Sequence, residues 1–146
     1  MAKKILVVCI GNICRSPMAA ALLKEGLPEN FEVSSAGIGA LVGEPAHETS
    51  AELMNDLGLD IEDHVARQLD EQLLNSSDIV LTMEDKHTDW IENQWPHARG
   101  RVYRWGHWDE FDISDPYRRG HQAFEDSLDL IKKGLDKWLQ KLGQLS

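Results

Sequence analysis

Short apolar runs alternate along the chain with longer segments in which apolar residues recur every three or four positions. The short runs are rich in aliphatic and β-branched residues and predict four β-strands. The longer segments have the periodicity of amphipathic helices and predict five of them. We expect strands at residues 4–8, 31–34, 79–82 and 101–104, and helices at residues 17–26, 48–57, 70–75, 84–93 and 121–142.

The final helix shows the periodicity most clearly. Residues on one of its faces are apolar over the whole length, and Asp70 is the expected N-cap of the short third helix. The apolar face of the final helix comprises Phe124, Leu128, Ile131, Leu135, Trp138, Leu139 and Leu142.

The order of the elements predicts an α/β fold. Strands that alternate with helices form an open, parallel sheet with helices on both faces. We expect a single three-layer domain over residues 1–146, with a four-stranded sheet at its centre. Two segments without periodicity, residues 36–47 and 105–119, are predicted loops. The first follows a strand, on the side where such sheets bind ligands.

The loop between the first strand and the first helix has the composition of an anion site. Cys9 ends the strand, and Arg15 follows immediately before the helix. Ser16 is the expected N-cap and Pro17 the expected first helical residue. Backbone N–H groups at a helix N-terminus bind phosphate, and an arginine adds a planar fork for two oxygens. Gly11 allows the backbone to approach a ligand closely.

This environment makes Cys9 a candidate nucleophile. A positive field favours the thiolate, and a thiolate beneath a bound phosphate is placed to attack phosphorus. A cysteine in a strand is more commonly a small core residue. The spacing to Arg15 and the Ser-Pro helix start favour the catalytic interpretation over that alternative.

Composition and charge narrow the functional classes. The formal net charge of −10 argues against nucleic acid as a partner. It does not exclude an anionic substrate, because surface carboxylates are screened within about 10 Å, and Arg118 and Arg119 could offset them locally. Both cysteines lie in one loop, so a disulfide framework is excluded. The apolar runs are too short for a signal peptide or membrane insertion, and a cytoplasmic location is expected.

Residues 9–17, Cys-Ile-Gly-Asn-Ile-Cys-Arg-Ser-Pro, resemble the signature of the low-molecular-weight protein tyrosine phosphatases. Residues 115–118, Asp-Pro-Tyr-Arg, resemble the loop of that family that carries its general acid. The segments at 34–37 and 64–68 also match, in the same order. Residues 39–43 and 106–109 are similar to the bacterial branch associated with capsule and exopolysaccharide regulation.

The resemblance implies a phosphotyrosine protein phosphatase I-like fold and a cysteinyl-phosphate mechanism. Cys9 would be the nucleophile, Arg15 the phosphate clamp and Asp115 the general acid and base. No cofactor or metal is expected. The residues alone leave four acids open as the proton donor, which are Asp109, Glu110, Asp112 and Asp115.

The resemblance also implies binding and supporting residues. Leu41, Tyr117 and Trp108 are candidate walls of a deep slot that admits phosphotyrosine and leaves phosphoserine short of the nucleophile. Ser35 and His64 would belong to a polar network behind Asn12, although their types also fit a strand end and a surface position. The expected substrate-binding residues are Ile10, Gly11, Asn12, Ile13, Cys14, Ser16, Leu41 and Tyr117, and the supporting network is Asn12, Ser16, Ser35 and His64.

Several functional alternatives remain open. An arsenate reductase of the same fold is disfavoured because thioredoxin-coupled members need cysteines downstream of the loop, and none follows Cys14. A catalytically silent phosphotyrosine-binding module and a small-molecule acid phosphatase are the others. The resemblance implies an autophosphorylating bacterial tyrosine kinase as partner, and a reversible Cys9–Cys14 disulfide under oxidation.

Overall fold

A computed structural model describes residues 3–145, which form four strands, five α-helices and one 3-10 turn. The elements lie close to their predicted positions, with ends that differ by one to three residues. The strands are β1 (Lys3–Cys9), β2 (Phe31–Gly37), β3 (Ile79–Thr82) and β4 (Val102–Arg104), and the helices are α1 (Arg15–Gly26), α2 (Glu48–Asp56), α3 (Glu71–Asn75), α4 (Asp85–Gln94) and α5 (His121–Gly143).

The four strands form one sheet in the order β2-β1-β3-β4, with every neighbouring pair parallel. The predicted α/β class and open parallel sheet are confirmed. Because β1 lies between β2 and β3, the chain moves to opposite sides of β1 after α1 and after α3. The loop that follows β1 therefore opens at the point where the strand order reverses, which is where such sheets bind ligands.

Side chains of β1 alternate between two apolar cores. Ile5 and Val7 pack with residues of α1, α2 and α5, and Leu6 and Val8 pack with residues of α3 and α4. Alternation along a strand places these side chains on opposite faces of the sheet. The sheet is thus covered on both sides, which explains why β1 is almost continuously apolar.

The start of α1 differs from the prediction. The helix begins at Arg15, its N-cap is Cys14, and no side chain caps it. Ser16 lies inside the first turn, where its hydroxyl contacts Cys9 and Asn12 instead of a helical N–H group. The prediction that Ser16 is the N-cap and Pro17 the first helical residue was wrong. Pro17 remains within the first turn, where a missing N–H costs nothing. The cap of α3 is as predicted, since Asp70 accepts a hydrogen bond from Leu73 N at 2.8 Å.

Strand β2 extends three residues beyond its predicted end. Gly37 pairs with Cys9, so the edge of β2 reaches the level of the catalytic loop. A Cβ atom at Gly37 would lie 2.3 Å from the carbonyl oxygen of Ile10, a distance that backbone cannot accommodate. Glycine is therefore required where β2 passes against this loop. Within residues 3–145, no helix is long and apolar enough to cross a membrane.

Candidate active site

The loop after β1 turns its carbonyl groups outward. All six carbonyl oxygens from Cys9 to Cys14 accept hydrogen bonds from segments outside the loop, mainly the 38–50 segment. The bonds run from Ile38 N to Cys9 O (2.9 Å), Gly39 N to Ile10 O (3.0 Å), Leu41 N to Gly11 O (3.0 Å), His64 Nε2 to Asn12 O (2.6 Å), His47 N to Ile13 O (2.7 Å) and Ser50 Oγ to Cys14 O (3.2 Å).

This arrangement fixes the direction of the amide groups. In a trans peptide the N–H group points opposite to the carbonyl group that precedes it. Carbonyl groups that face outward over residues 9–14 therefore direct the N–H groups of residues 10–15 toward the centre of the loop. A ring of inward N–H groups at a helix N-terminus is a cradle for a tetrahedral oxyanion.

Asn12 supports the loop from inside. Its φ of 60° is a left-handed conformation, which asparagine tolerates better than most residues. Its Nδ2 donates to Ser16 Oγ at 2.8 Å and to Ser35 Oγ at 3.0 Å, and its Oδ1 accepts from Arg67 N at 3.0 Å. Together with the bond from His64, these contacts bring the four residues of the expected supporting network together. Arg67 was missed, and its position in the matching 64–68 segment was the available signal.

The sulfur of Cys9 lies at the base of the cradle. It is 3.0 Å from Ser16 Oγ, and that hydroxyl already accepts a hydrogen bond from Asn12. The proton of the hydroxyl is therefore free to be donated to the sulfur. Cys9 is buried, so this bond and the loop amides are what the site offers to stabilise a thiolate.

Arg15 is held by one end and open along its side. Its guanidinium is 1% exposed, and Nη1 donates to Glu84 Oε2 at 2.6 Å and to Ile113 O at 2.7 Å. Nε has no hydrogen-bond partner among residues 3–145, and Nη2 lies 3.8 Å from Asp115 Oδ2. A buried donor without a partner needs an acceptor. The edge formed by Nε and Nη2 suits two oxygens of a phosphate.

Glu84 is a site residue that sequence reasoning missed. It follows β3 at the carboxyl edge of the sheet, directly before α4, and this position was the available signal. Burial alone would raise the pKa of Glu84, but the hydrogen bond and charge of Arg15 outweigh it and lower that pKa. Glu84 is therefore a carboxylate that keeps Arg15 in place.

The four acids left open by the sequence are separated by the structure. Asp109 pairs with Lys137 and Asp112 pairs with Arg104. Only Asp115 of the four lines the cavity above Cys9. Its Oδ1 accepts from Tyr117 N at 3.1 Å, which orients the carboxyl group.

The loop that carries Asp115 is tied down just before this residue. Ile113 is fully buried, its N–H donates to Met83 O at 2.9 Å, and its carbonyl accepts from Arg15. The carbonyl of Ser114 accepts from Ser127 Oγ at 2.9 Å. These bonds connect the loop to β3, α1 and α5, and so hold Asp115 over the cradle.

Three comparisons identify relatives of this chain. A model of the low molecular weight phosphotyrosine protein phosphatase family matches residues 4–145. The chain belongs to this family. A probable low molecular weight protein-tyrosine-phosphatase, EpsP of Ralstonia solanacearum, is 48% identical over 145 residues, which are 99% of each chain. The resemblance seen in the sequence and the expected enzyme class, protein tyrosine phosphatase, are confirmed.

Solved structures agree with this assignment. Vibrio vulnificus Wzb in complex with benzylphosphonate is 38% identical, with a TM-score of 0.91 over 97% of this chain and 99% of the other. The YwlE arginine phosphatase from Geobacillus stearothermophilus is 30% identical, with a TM-score of 0.90 over 97% and 94%. EpsP and Wzb are phosphatases of the exopolysaccharide- and capsule-associated branch, which confirms the predicted branch.

The cavity of this phosphatase is small and partly apolar. Its volume is about 140 Å³, and Leu41 and Tyr117 stand in its wall with Asp115. Trp108 does not, because its ring stacks on Trp138 at 4.6 Å between centroids; the expectation that it forms a wall was wrong. The cavity is lined by Cys9, Ile10, Gly11, Ile13, Cys14, Arg15, Gly39, Leu41, Asp115 and Tyr117.

A larger cleft of about 460 Å³ lies outside the loop, and Cys9 and Asp115 are not among its lining residues. His64, Ser35 and Arg67 border it, so the supporting network of the phosphatase separates this cleft from the cradle. The smaller cavity is the candidate active site because the nucleophile, the arginine and the acid meet there.

Cys14 has the opposite character from a nucleophile. Burial, followed by the negative charges of Cys9 and Asp115, raises the pKa of the Cys14 thiol to about 12. Cys14 is therefore protonated at neutral pH. Its carbonyl is engaged by Ser50, so its contribution to the phosphatase loop is structural.

The stability of the phosphatase is expected to depend on pH through His87, a buried residue of α4. Burial and then the charge of Arg15 lower the pKa of His87 to about 4, with Lys86 acting in the same direction and Glu84 and Asp112 opposing it. An unfolded histidine titrates near pH 6.5, so the unfolded chain binds a proton first as the pH falls. The free energy of unfolding should therefore drop by about 2 kcal/mol between pH 7 and pH 5.

Urea unfolding of the wild type at both pH values checks this expectation. His87→Asn removes the titrating group and should remove most of the drop. His121→Asn is the matched control, because His121 is an exposed residue of α5, and this variant should keep the drop. An equal drop in the wild type and in His87→Asn would contradict the assignment.

Proposed function

We propose that the phosphatase hydrolyses phosphotyrosine side chains of proteins by double displacement at Cys9. The observation that carries the proposal is the loop geometry, in which inward amides and the open edge of Arg15 surround the sulfur. Phosphoryl transfer requires positioning and stabilisation of charge on the equatorial oxygens, and these groups supply both.

In the first step the Cys9 thiolate attacks phosphorus in line with the phenolic oxygen. The S–P bond forms as the P–O bond to the phenol breaks, and the proton of the Asp115 carboxyl passes to the leaving oxygen. A phenolate is a poor leaving group, so the proton lowers the barrier. Arg15 and the loop amides hold the three equatorial oxygens throughout.

In the second step a water molecule attacks the cysteinyl-phosphate. Asp115, now a carboxylate, takes a proton from the water, the S–P bond breaks, and the thiolate returns with the release of inorganic phosphate. The hydrogen bond from Ser16 stabilises the thiolate as a leaving group. Both steps use groups of this chain and water only.

The cavity wall favours a phenyl group. Ile13, Leu41 and Tyr117 present apolar surface, and among residues 3–145 Asp115 is the one carboxylate in the wall. A phosphoarginine, the substrate class named for the YwlE relative, would bury a polar guanidinium that needs several acceptors. Phosphoserine is too short to span the wall and reach the sulfur. Phosphotyrosine fits both the depth and the polarity.

Matched peptides that differ only in the phosphorylated residue test the substrate class. We expect kcat/KM for the phosphotyrosine peptide to exceed that for the phosphoserine and phosphoarginine peptides by at least about 100-fold, because the ring fills the wall. Tyr117→Ala should reduce that ratio, whereas His121→Asn on the outer surface should not. Comparable values for all three peptides would contradict the slot, and binding without phosphate release would indicate a silent module.

We also propose a tyrosine-phosphorylated protein of the cytoplasm as partner, more narrowly an autophosphorylated bacterial tyrosine kinase that controls polysaccharide export. The relatives of the exopolysaccharide branch support this assignment. We propose further that residues 1–146 act as one catalytic domain. The peptide assay, run with such an autophosphorylated kinase as substrate, tests the partner; a kinase that keeps its phosphate would contradict it.

A further inference from the structure

His87 lies against the carboxylate that anchors Arg15. The ring is 3% exposed, and Nδ1 accepts a hydrogen bond from the backbone N–H of Glu84 at 3.2 Å. Nε2 is 3.3 Å from Glu84 Oε2, the same oxygen that accepts the 2.6 Å bond from Arg15. A chain of contacts therefore runs from α4 through Glu84 to the guanidinium.

The contact from Glu84 N–H decides where the proton of the ring lies. An acceptor at Nδ1 needs a free lone pair, so the neutral ring carries its proton on Nε2, beside the carboxylate. A protonated ring would set an Nδ1 proton against the N–H of Glu84. It would also add a second cation next to Arg15. Both effects, together with burial, keep His87 neutral near pH 7, in line with its pKa of about 4.

Two buried donors flank the Glu84 carboxylate without a well-directed hydrogen bond, and they are Nε of Arg15 and Nε2 of His87. The first faces the phosphate site. The second has Oε2 of Glu84 beside it, at a distance that a small shift of the carboxylate would shorten. When a phosphate draws Arg15 toward the cradle, the carboxylate must stay aligned with Nη1, and His87 is the side chain placed to restrain it.

We propose that His87 is a positioning residue of this phosphatase, which acts on the reaction through Glu84 by keeping its carboxylate aligned on Nη1 of Arg15. The inference rests on the proposed function, because it assigns a role to Arg15 in catalysis. Histidine suits the position because a single neutral ring accepts from the Glu84 backbone and places a donor beside the Glu84 side chain. A carboxylate at 87 would repel Glu84, and a cation would compete with Arg15.

His87→Asn separates the two contacts of the ring. The Oδ1 atom of asparagine can replace Nδ1 as acceptor for the Glu84 N–H, whereas the shorter side chain cannot place a donor beside Oε2. We expect kcat for a phosphotyrosine peptide to fall by about tenfold, with KM changed less than about twofold, because the loss concerns transition-state charge. The midpoint of thermal unfolding is measured on the same samples.

A double-mutant cycle tests whether the effect runs through Glu84. In a Glu84→Gln background, His87→Asn should change kcat by less than about twofold, because the carboxylate to be aligned is gone. A further tenfold loss in that background would overturn the proposal, as would a wild-type kcat in His87→Asn alone.

Asp70→Ala is the matched control for destabilisation. It removes the cap of α3, a helix that contributes no residue to the active-site cavity, and should lower the unfolding midpoint without lowering kcat. If Asp70→Ala lowers kcat as much as His87→Asn at a similar midpoint, the role of His87 is only structural. An inactive wild type would instead contradict the proposed function and leave the contacts of His87 unchanged.

Discussion

Cys9→Ser is expected to abolish turnover of the phosphotyrosine peptide while the peptide still binds. A serine hydroxyl is not ionised near neutral pH and has no base beside it, so kcat should fall by more than about 10⁴-fold. The amide cradle and Arg15 do not depend on the sulfur, and the dissociation constant should stay within about tenfold of the wild-type value. Phosphate release and calorimetric titration of the same peptide measure the two quantities.

Cys14→Ser is the matched control, since it changes the other cysteine of the same loop. Its carbonyl bond to Ser50 is a backbone contact and survives the change, so kcat should fall far less than in Cys9→Ser. Acid quenching of the wild type during turnover should trap phosphate on Cys9 in a tryptic peptide. Phosphate on another residue, or turnover by Cys9→Ser, would remove Cys9 from the mechanism.

The local chemistry of the loop could be predicted because it depends on residues close in sequence. Cys9, Gly11 and Arg15 are separated by a few positions, and a strand followed by a helix fixes their relations. The α/β fold followed from the alternation of apolar runs in the same way. Element ends were less certain, since Gly37 is held in β2 by pairing with Cys9 rather than by its own preference.

Contacts between distant segments could not be predicted. Glu84 lies 69 positions from Arg15, and Ile113 lies 98 positions away, so nothing in the sequence spacing connects them. Ser16 was assigned to the wrong role for the same reason. A serine before proline has the local preference of a helix cap, but Cys9 and Asn12 compete for its hydroxyl.

The aromatic residues illustrate the same limit. Tyr117 and Trp108 both lie in the loop before α5, and their types suit a slot equally well. Tyr117 reaches the cavity because Asp115 and the anchored Ile113 fix the chain just before it. Trp108 turns to Trp138 on α5, where it buries more apolar surface.

The acidic surface and the anionic substrate are reconciled inside the cavity. The net charge is −10, and Glu84 neutralises much of the charge of Arg15. Attraction at long range is therefore weak, and binding depends on contacts that form only when the phosphate enters the cradle. Directed N–H groups stabilise charge at contact distance in a buried site far more than in water.

Asp115→Asn is expected to lower kcat for the phosphotyrosine peptide by about 100- to 1,000-fold, within the range for loss of a general acid. Asparagine keeps an oxygen for the Tyr117 N–H, so the loop should retain its shape. The loss should shrink as the leaving group becomes more acidic, because a stable phenolate needs no proton. A series of aryl phosphates with leaving groups of graded acidity, assayed by pre-steady-state release of the phenol, measures this dependence in the first step.

Asp112→Asn is the control for a general change of charge in the same loop. Asp112 is paired with Arg104 and the N–H of Asp85, so its replacement should leave the dependence on leaving group as in the wild type. If Asp115→Asn slowed every aryl phosphate equally, Asp115 would orient the loop or the substrate and another group would deliver the proton. A steeper dependence on leaving group in Asp115→Asn alone assigns proton delivery to Asp115, because only a lost acid makes the rate depend on how well the phenolate bears its own charge.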